Sequence, residues 1–135
     1  MSIMDDIRQA LEAHLAGTVG VPSTIFYENV PGVQDPDNAH LRSKLLPTSR
    51  RPAVVGPAPQ QRHQGLYQIM VCTPKGVGTG TALGYADTLL ARFESHTSIA
   101  GASVTMSTEY SEIGPGYMEE AFYCIPVLVA WYVYA

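Results

Sequence analysis

Apolar side chains at Ile3, Ile7, Leu11 and Leu15 recur at helical spacing, so the chain opens with an amphipathic helix over residues 3–15. Ser2 is its expected N-cap, Asp5 and Asp6 put negative charge in the first turn, and Gly17 is a natural stop. The period then shortens to two. Ile25, Phe26 and Tyr27 predict a strand over residues 23–30, which Pro31-Gly32 and the polar run at 34–38 break. A second strand is expected over 40–46, closed by Pro47. In a third, over 66–73, Tyr67, Ile69 and Val71 alternate with Leu66, Gln68, Met70 and Cys72. A second helix spans residues 81–93, with Leu83, Ala86, Leu90 and Phe93 on one side and Leu89 beside them. A fourth strand over 102–110 is followed by a turn at 111–117 carrying Gly114-Pro115-Gly116. The last strand, over 119–134, is long and apolar on both faces, and Pro126 within it calls for an edge position or a bulge.

This order predicts an α+β fold: a single mixed β-sheet of about five strands with two helices packed on one face. The strand at 66–73, the second helix and the strand at 102–110 read as a right-handed crossover, which would make those strands a parallel pair. One domain over residues 1–135 suits the length. Its least regular part is 48–64, with Pro52, Pro57 and Pro59, two adjacent arginines and a polar QQRHQ run, and it is expected to project as a loop.

Composition adds a constraint. Apolar residues make up 46% and charged residues only 15% of the chain, against a usual charged share of about 25%. So little charge implies either unusually large buried faces or a surface partly covered by partners, and partners are the favoured reading. The net charge of −4 gives no basic footprint for nucleic acid, although Arg50, Arg51, Arg62 and His63 cluster locally. No leader and no membrane-length apolar run is read from the sequence, so a cytoplasmic origin is expected. Cys72 and Cys124 both fall in strands, where reduced cysteines serve as small hydrophobes; a disulfide between them requires that those strands be neighbours.

The segment at 65–93, a strand, a glycine-rich turn and a helix, has the parts of a phosphate-binding loop but not its chemistry. Gly80 is followed by Thr81 and Ala82 rather than Lys-Ser/Thr, and Lys75 precedes the glycines. The dinucleotide fingerprint fails at Leu83, where a third glycine would stand. Gly76, Gly78 and Gly80 therefore read as structural, permitting positive φ and close packing, with an anion at the helix amides as the residual alternative. His14, His40, His63 and His96 show no metal-ligand spacing; His14 reads as an edge-of-core residue and His63 as solvated. Asp5-Asp6 serves the helix terminus, and Glu119-Glu120 points to opposite faces of a strand. No nucleophile elbow or local Cys–His pair occurs. No enzyme, metal or cofactor is expected.

Taken in order, MSIMDDIRQALEAHL, STIFYENV, HLRSKLLP, GLYQIMVCTPKGVGTGTALGYADTLLARF and GPGYMEEAFYCIPVLVAWYVYA resemble the tail terminator (tail completion) proteins of long-tailed bacteriophages and prophages. The most specific pieces are Gly65-Leu66-Tyr67-Gln68, Pro74 with Gly76 and Gly78, Ala86-Asp87 and Ile125-Pro126-Val127. The resemblance implies a structural virion protein at the head-proximal end of the tail, assembled in the bacterial cytoplasm. It implies a hexameric ring that caps the tail tube, ends tube polymerisation and takes part in head–tail joining. Its partners would be copies of itself, the tail tube protein and a head-completion or connector protein, with DNA passing through the lumen without specific binding. The alternatives are another head–tail connector or tube-like ring subunit, and a small ligand-binding domain using the Gly76–Gly80 loop. Within this reading the apolar C-terminal strand is expected at a subunit interface through Trp131, Tyr132 and Phe122. Arg50, Arg51 and Arg62 are candidates for meeting tail or head partners, with a solvated loop as the equal alternative.

Overall fold

The computed structural model describes residues 2–30, 32–33, 35, 37–52 and 61–135. Its framework is a seven-stranded sheet flanked by two helices, α1 (Ile3–Ala16) and α2 (Gly80–Arg92). The strands are β1 (Ile25–Phe26), β2 (His40–Pro52), β3 (Gln61–Pro74), β4 (Ser98–Ala100), β5 (Thr105–Ile113), β6 (Tyr117–Glu119) and β7 (Phe122–Tyr134). Their order across the sheet is β1-β2-β3-β7-β5-β4, with β6 paired to β7 beyond the end of β5. Only the β1–β2 pair is parallel, so the sheet is mixed. The α+β class holds, but the strand count exceeds the expected five, because β4 and β6 are too short to leave a periodic signal.

Alternation along β3 and β7 divides the sheet into two unlike faces. Tyr67, Ile69 and Val71 of β3 and Ile125, Val127, Val129, Trp131 and Val133 of β7 join one core with Ile7, Leu11 and Leu15 of α1 and Ala82, Ala86 and Leu89 of α2. Both helices therefore cover the same face. On α2 the buried stripe is Ala82, Ala86, Leu89 and Phe93, whereas Leu83 is 42% exposed. Small residues at 82 and 86 bring the helix close to the sheet and rotate Leu83 outward.

The expected crossover is also different. β4 and β5 follow α2, yet β7 inserts between β3 and β5, so β3 and β5 run in the same direction without touching. The long last strand won the central position because its two apolar faces need cover on both sides.

That places Pro126 in an interior strand, contrary to the expected edge. Along β7 its carbonyl accepts from Gly114 N at 2.8 Å, on the side away from β3. There β5 ends with Ile113 opposite Val127 and β6 begins with Tyr117 opposite Cys124, so the imide nitrogen faces the hand-over between two strands. No ladder bond is lost. Gly114 is required here: a Cβ at that position would lie 2.8 Å from Pro126 Cγ.

β2 likewise runs through Pro47 rather than ending there, reaching Pro52 after a bulge between Pro47 and Ser49. The amides of Leu41 and Leu45 point away from β3, to Thr24 O at 2.9 Å and Glu28 Oε1 at 3.4 Å. Pro47 continues that outward alternation, where no partner strand asks for an N–H. Most of the expected loop at 48–64 is thus a hairpin arm on each side, with 53–60 outside the described residues. Arg50 and Arg51 pair in register with His63 and Arg62. The periodicity failed there because the side chains are polar on both faces while backbone bonds carry the ladder.

Two contacts tie the helices to the frame. His14 Nε2 and Arg92 O approach to 3.0 Å while Arg92 Nε donates to His14 O at 3.2 Å, joining the helix C-termini. Ser2 caps α1 as expected, accepting from Asp5 N at 3.3 Å, but the acidic pair divides its work. Asp5 bonds Arg8 and Gln9 on the exposed face. Asp6 is 3% exposed and accepts from Ser103 Oγ and N, Ala102 N and Val104 N, between 2.7 and 3.1 Å. These donors, the Ser103 hydroxyl first, hold its carboxyl below the usual 3.8. The lowered value means that the latch is at full strength above pH 3.8 and is lost as pH falls through the folded-state pKa. Asp6→Asn should lower the melting temperature at neutral pH and remove part of the acid sensitivity, checked by circular dichroism melts between about pH 2 and pH 7.

Candidate functional surfaces

The glycine turn before α2 is open and unencumbered. Gly76 and Gly78 adopt φ of 91° and 80°, which explains glycine at those two positions. Gly80 has no positive φ, and a Cβ on any of the three would meet nothing within 4 Å, so the expected close packing is absent. Thr79 at the N-cap makes no side-chain capping bond. Lys75 N donates to Ala121 O at 2.9 Å and ties the turn to the β6–β7 connection.

The two cysteines are cross-strand partners on the helix-free face. Cys72 and Cys124 sit opposite each other in the β3–β7 ladder with Cα atoms 4.2 Å apart, joined as a disulfide instead of remaining reduced. Met70 and Phe122 enclose them in a small second core. Above that core, Arg42 Nη1 donates to both carboxylate oxygens of Glu119, at 2.9 and 3.1 Å, spanning from β2 to β6. Arg42 Nε also donates to His40 Nε2 at 3.0 Å, which leaves the histidine proton on Nδ1. His40 is 1% exposed between the rings of Phe26 and Phe122. Burial first, and the Arg42 cation next, push its pKa below the usual 6.5.

A cleft of about 510 Å³ lies beside this cluster, lined by Thr24, Phe26, Val33, Asp35, His40 and Tyr85 among others. Of the titratable groups lining it, Asp35 accepts from Asn38 Nδ2 at 2.7 Å and Asp37 N at 3.0 Å, and His40 Nε2 accepts from Arg42, while the buried His40 Nδ1 has no hydrogen-bond partner among the described residues. No group of metal ligands occurs among the described residues.

The residues expected at partner surfaces are placed unequally. Trp131 is 1% exposed and Phe122 4%, both enclosed by this chain's own two cores. Tyr132, on the opposite face of β7, is half-buried with the Arg62 guanidinium 4.8 Å from its ring centroid. Arg62 also pairs with Glu109, so it is fastened within the subunit. Arg50 and Arg51 are exposed near the tip of the β2–β3 hairpin. His63, expected in solvent, is 7% exposed, and burial followed by the nearby Arg50 lowers its pKa.

The helix-free face thus consists of mixed rows. Leu46, Leu66, Ala130 and Tyr110 form one, and Lys44, Gln68, Leu128 and Glu112 the next. Apolar and charged side chains alternate across this face. A family model described as phage tail terminator protein matches residues 6–131. The chain belongs to the phage tail terminator protein family. A solved structure resembles it with a TM-score of 0.75 at 22% identity, covering 98% of this chain and 96% of its own. At that identity the likeness concerns the fold alone. No curated protein matches.

Placement of the side chains separates two adjacent aromatics. Trp131→Ala should cost about 3–5 kcal/mol by chemical denaturation, as for other buried aromatics, whereas Tyr132→Ala should cost under about 1 kcal/mol. Stability owed to neutral His40 is complete above pH 6.5 and is lost as pH falls from there through its lowered folded-state value. His40→Gln should flatten that part of the pH–stability curve, measured by urea midpoints across the window.

Proposed function

We propose that this chain is a ring-forming structural subunit that caps the tail tube, stops its polymerisation and presents the surface to which the filled head docks. The family match over residues 6–131 carries this reading. A physical feature supports it. The sheet has one helix-covered face and one mixed face of intermediate exposure, which suits a subunit that meets neighbours with its surface.

In this reading the subunit resides at the head-proximal end of the tail and meets the tube protein on one side and a head-completion protein on the other. The acidic net charge of −4 favours passage of DNA without retention, because a basic lumen would bind the duplex. Contacts beyond the subunit fall to side chains that reach its surface, among them the exposed Arg50 and Arg51 and the half-buried Tyr132.

The purified chain should bind the ends of preassembled tail tubes and shorten the length distribution when added during tube polymerisation, both seen by negative-stain electron microscopy. Binding along tube walls alone, or unchanged tube lengths with bare ends, would sink the proposal. A ring that joins the head vertex but ignores tubes would mark a connector instead.

A further inference from the structure

Charge is sorted across the sheet. β2 carries Arg42, Lys44, Arg50 and Arg51 and no carboxylate of its own, the one carboxylate described against its outer edge being that of Glu28 at Leu45 N. From residue 94 to residue 120 the chain carries Glu94, Glu109, Glu112, Glu119 and Glu120 and neither lysine nor arginine. The order β1-β2-β3-β7-β5-β4 sets these two groups toward opposite edges. Part of the charge is neutralised inside the subunit, through Arg42–Glu119 and Arg62–Glu109. The remainder is not: among the described residues Lys44, Arg50, Arg51, Glu94, Glu112 and Glu120 are exposed and form no ion pair.

They cannot satisfy one another within a chain. β2 and β5 are separated by β3 and β7, so their axes lie roughly 14 Å apart at about 4.8 Å per strand, beyond a Debye length of about 8 Å. A second copy brings them together when its β5 edge approaches the β2 edge of the first. The reverse arrangements, β2 on β2 or β5 on β5, juxtapose like charges and are disfavoured. With a net charge of −4 two copies repel weakly overall, so a local match of this kind favours this relative orientation.

Resting on the ring reading above, we propose that the β2 edge of one subunit docks on the β4–β5 edge of the next, through Lys44, Arg50 and Arg51 against Glu94 and Glu112. Exposed Tyr110, on the acidic edge, supplies an aromatic face for an incoming arginine. The contact is made by side chains rather than by strand addition. Pro47 and Pro52 and the bulge between Pro47 and Ser49 interrupt the outer edge of β2, and a bulge between Thr108 and Tyr110 interrupts that of β5. Because two different edges meet, the contact is heterologous and propagates until it closes, as a ring requires.

Charge exchange tests it. One full-length variant carries Lys44→Glu, Arg50→Glu and Arg51→Glu; the other carries Glu94→Lys and Glu112→Lys. In sedimentation velocity at low salt the wild type should self-associate, each variant alone should associate at least about tenfold more weakly, and an equimolar mixture should recover association. Recovery arises because each edge of one variant then complements the opposite edge of the other. Melts confirm that both variants fold; should either fail, Lys44→Gln with Arg51→Gln and Glu112→Gln alone should show the smaller graded loss. A wild type that stays monomeric up to millimolar concentration, a variant that associates like wild type, or a mixture no better than its components overturns the proposal. A chain that caps tubes yet shows no complementation keeps the proposed function and loses only this contact.

Discussion

The β3–β7 ladder is the constraint on which the rest of the molecule depends. It runs in unbroken register from Arg62 opposite Tyr134 to Pro74 opposite Phe122. Both strands bury one full set of alternate side chains under the helices, so a slip of one residue would turn Trp131, Val129 and Tyr67 out of the core together. The remaining strands are added to this pair from either side. The ladder also brings Cys72 against Cys124, an opposition that neither cysteine's local sequence announces.

Around that spine, apparent exceptions follow from where hydrogen-bonding groups point. Pro126 is accommodated in the interior because its nitrogen faces the junction of β5 and β6, and Pro47 is accommodated in β2 because its position faces outward. Asp6, on a helix, is buried because the loop after β4 aims its amides at it. In each case a residue that looks unfavourable by type is satisfied by geometry supplied from a distant part of the chain. The same holds for Arg62, whose charge is absorbed by Glu109 and the ring of Tyr132.

Much of the frame was legible. The capped first helix, the strand following Gly65, the second helix and the apolar last strand occupy nearly the expected residues, because strong burial on one face leaves a periodic trace. The β2–β3 hairpin was not legible beyond Pro47, since Ser49, Arg50, Arg51, Arg62 and Gln64 carry no apolar alternation. Trp131 was legible as an important aromatic but not as a core residue. A strand apolar on both faces suits a neighbour's cover and the chain's own cover equally well. The candidate surface was the least legible part, because the sorting of cations and carboxylates becomes an edge-to-edge polarity only once strand order is known.

By itself, the sequence determined the element types, the shortage of charge, the lack of phosphate-loop and nucleophile-elbow motifs and the family resemblance, since composition, period and ordered motifs are properties of the linear chain. Tertiary structure decided that β7 lies between β3 and β5, that the cysteines meet, that Trp131 faces inward and that opposite charges occupy opposite edges. The physical reason is that strand order and face assignment are settled by competition for burial among segments far apart in the chain.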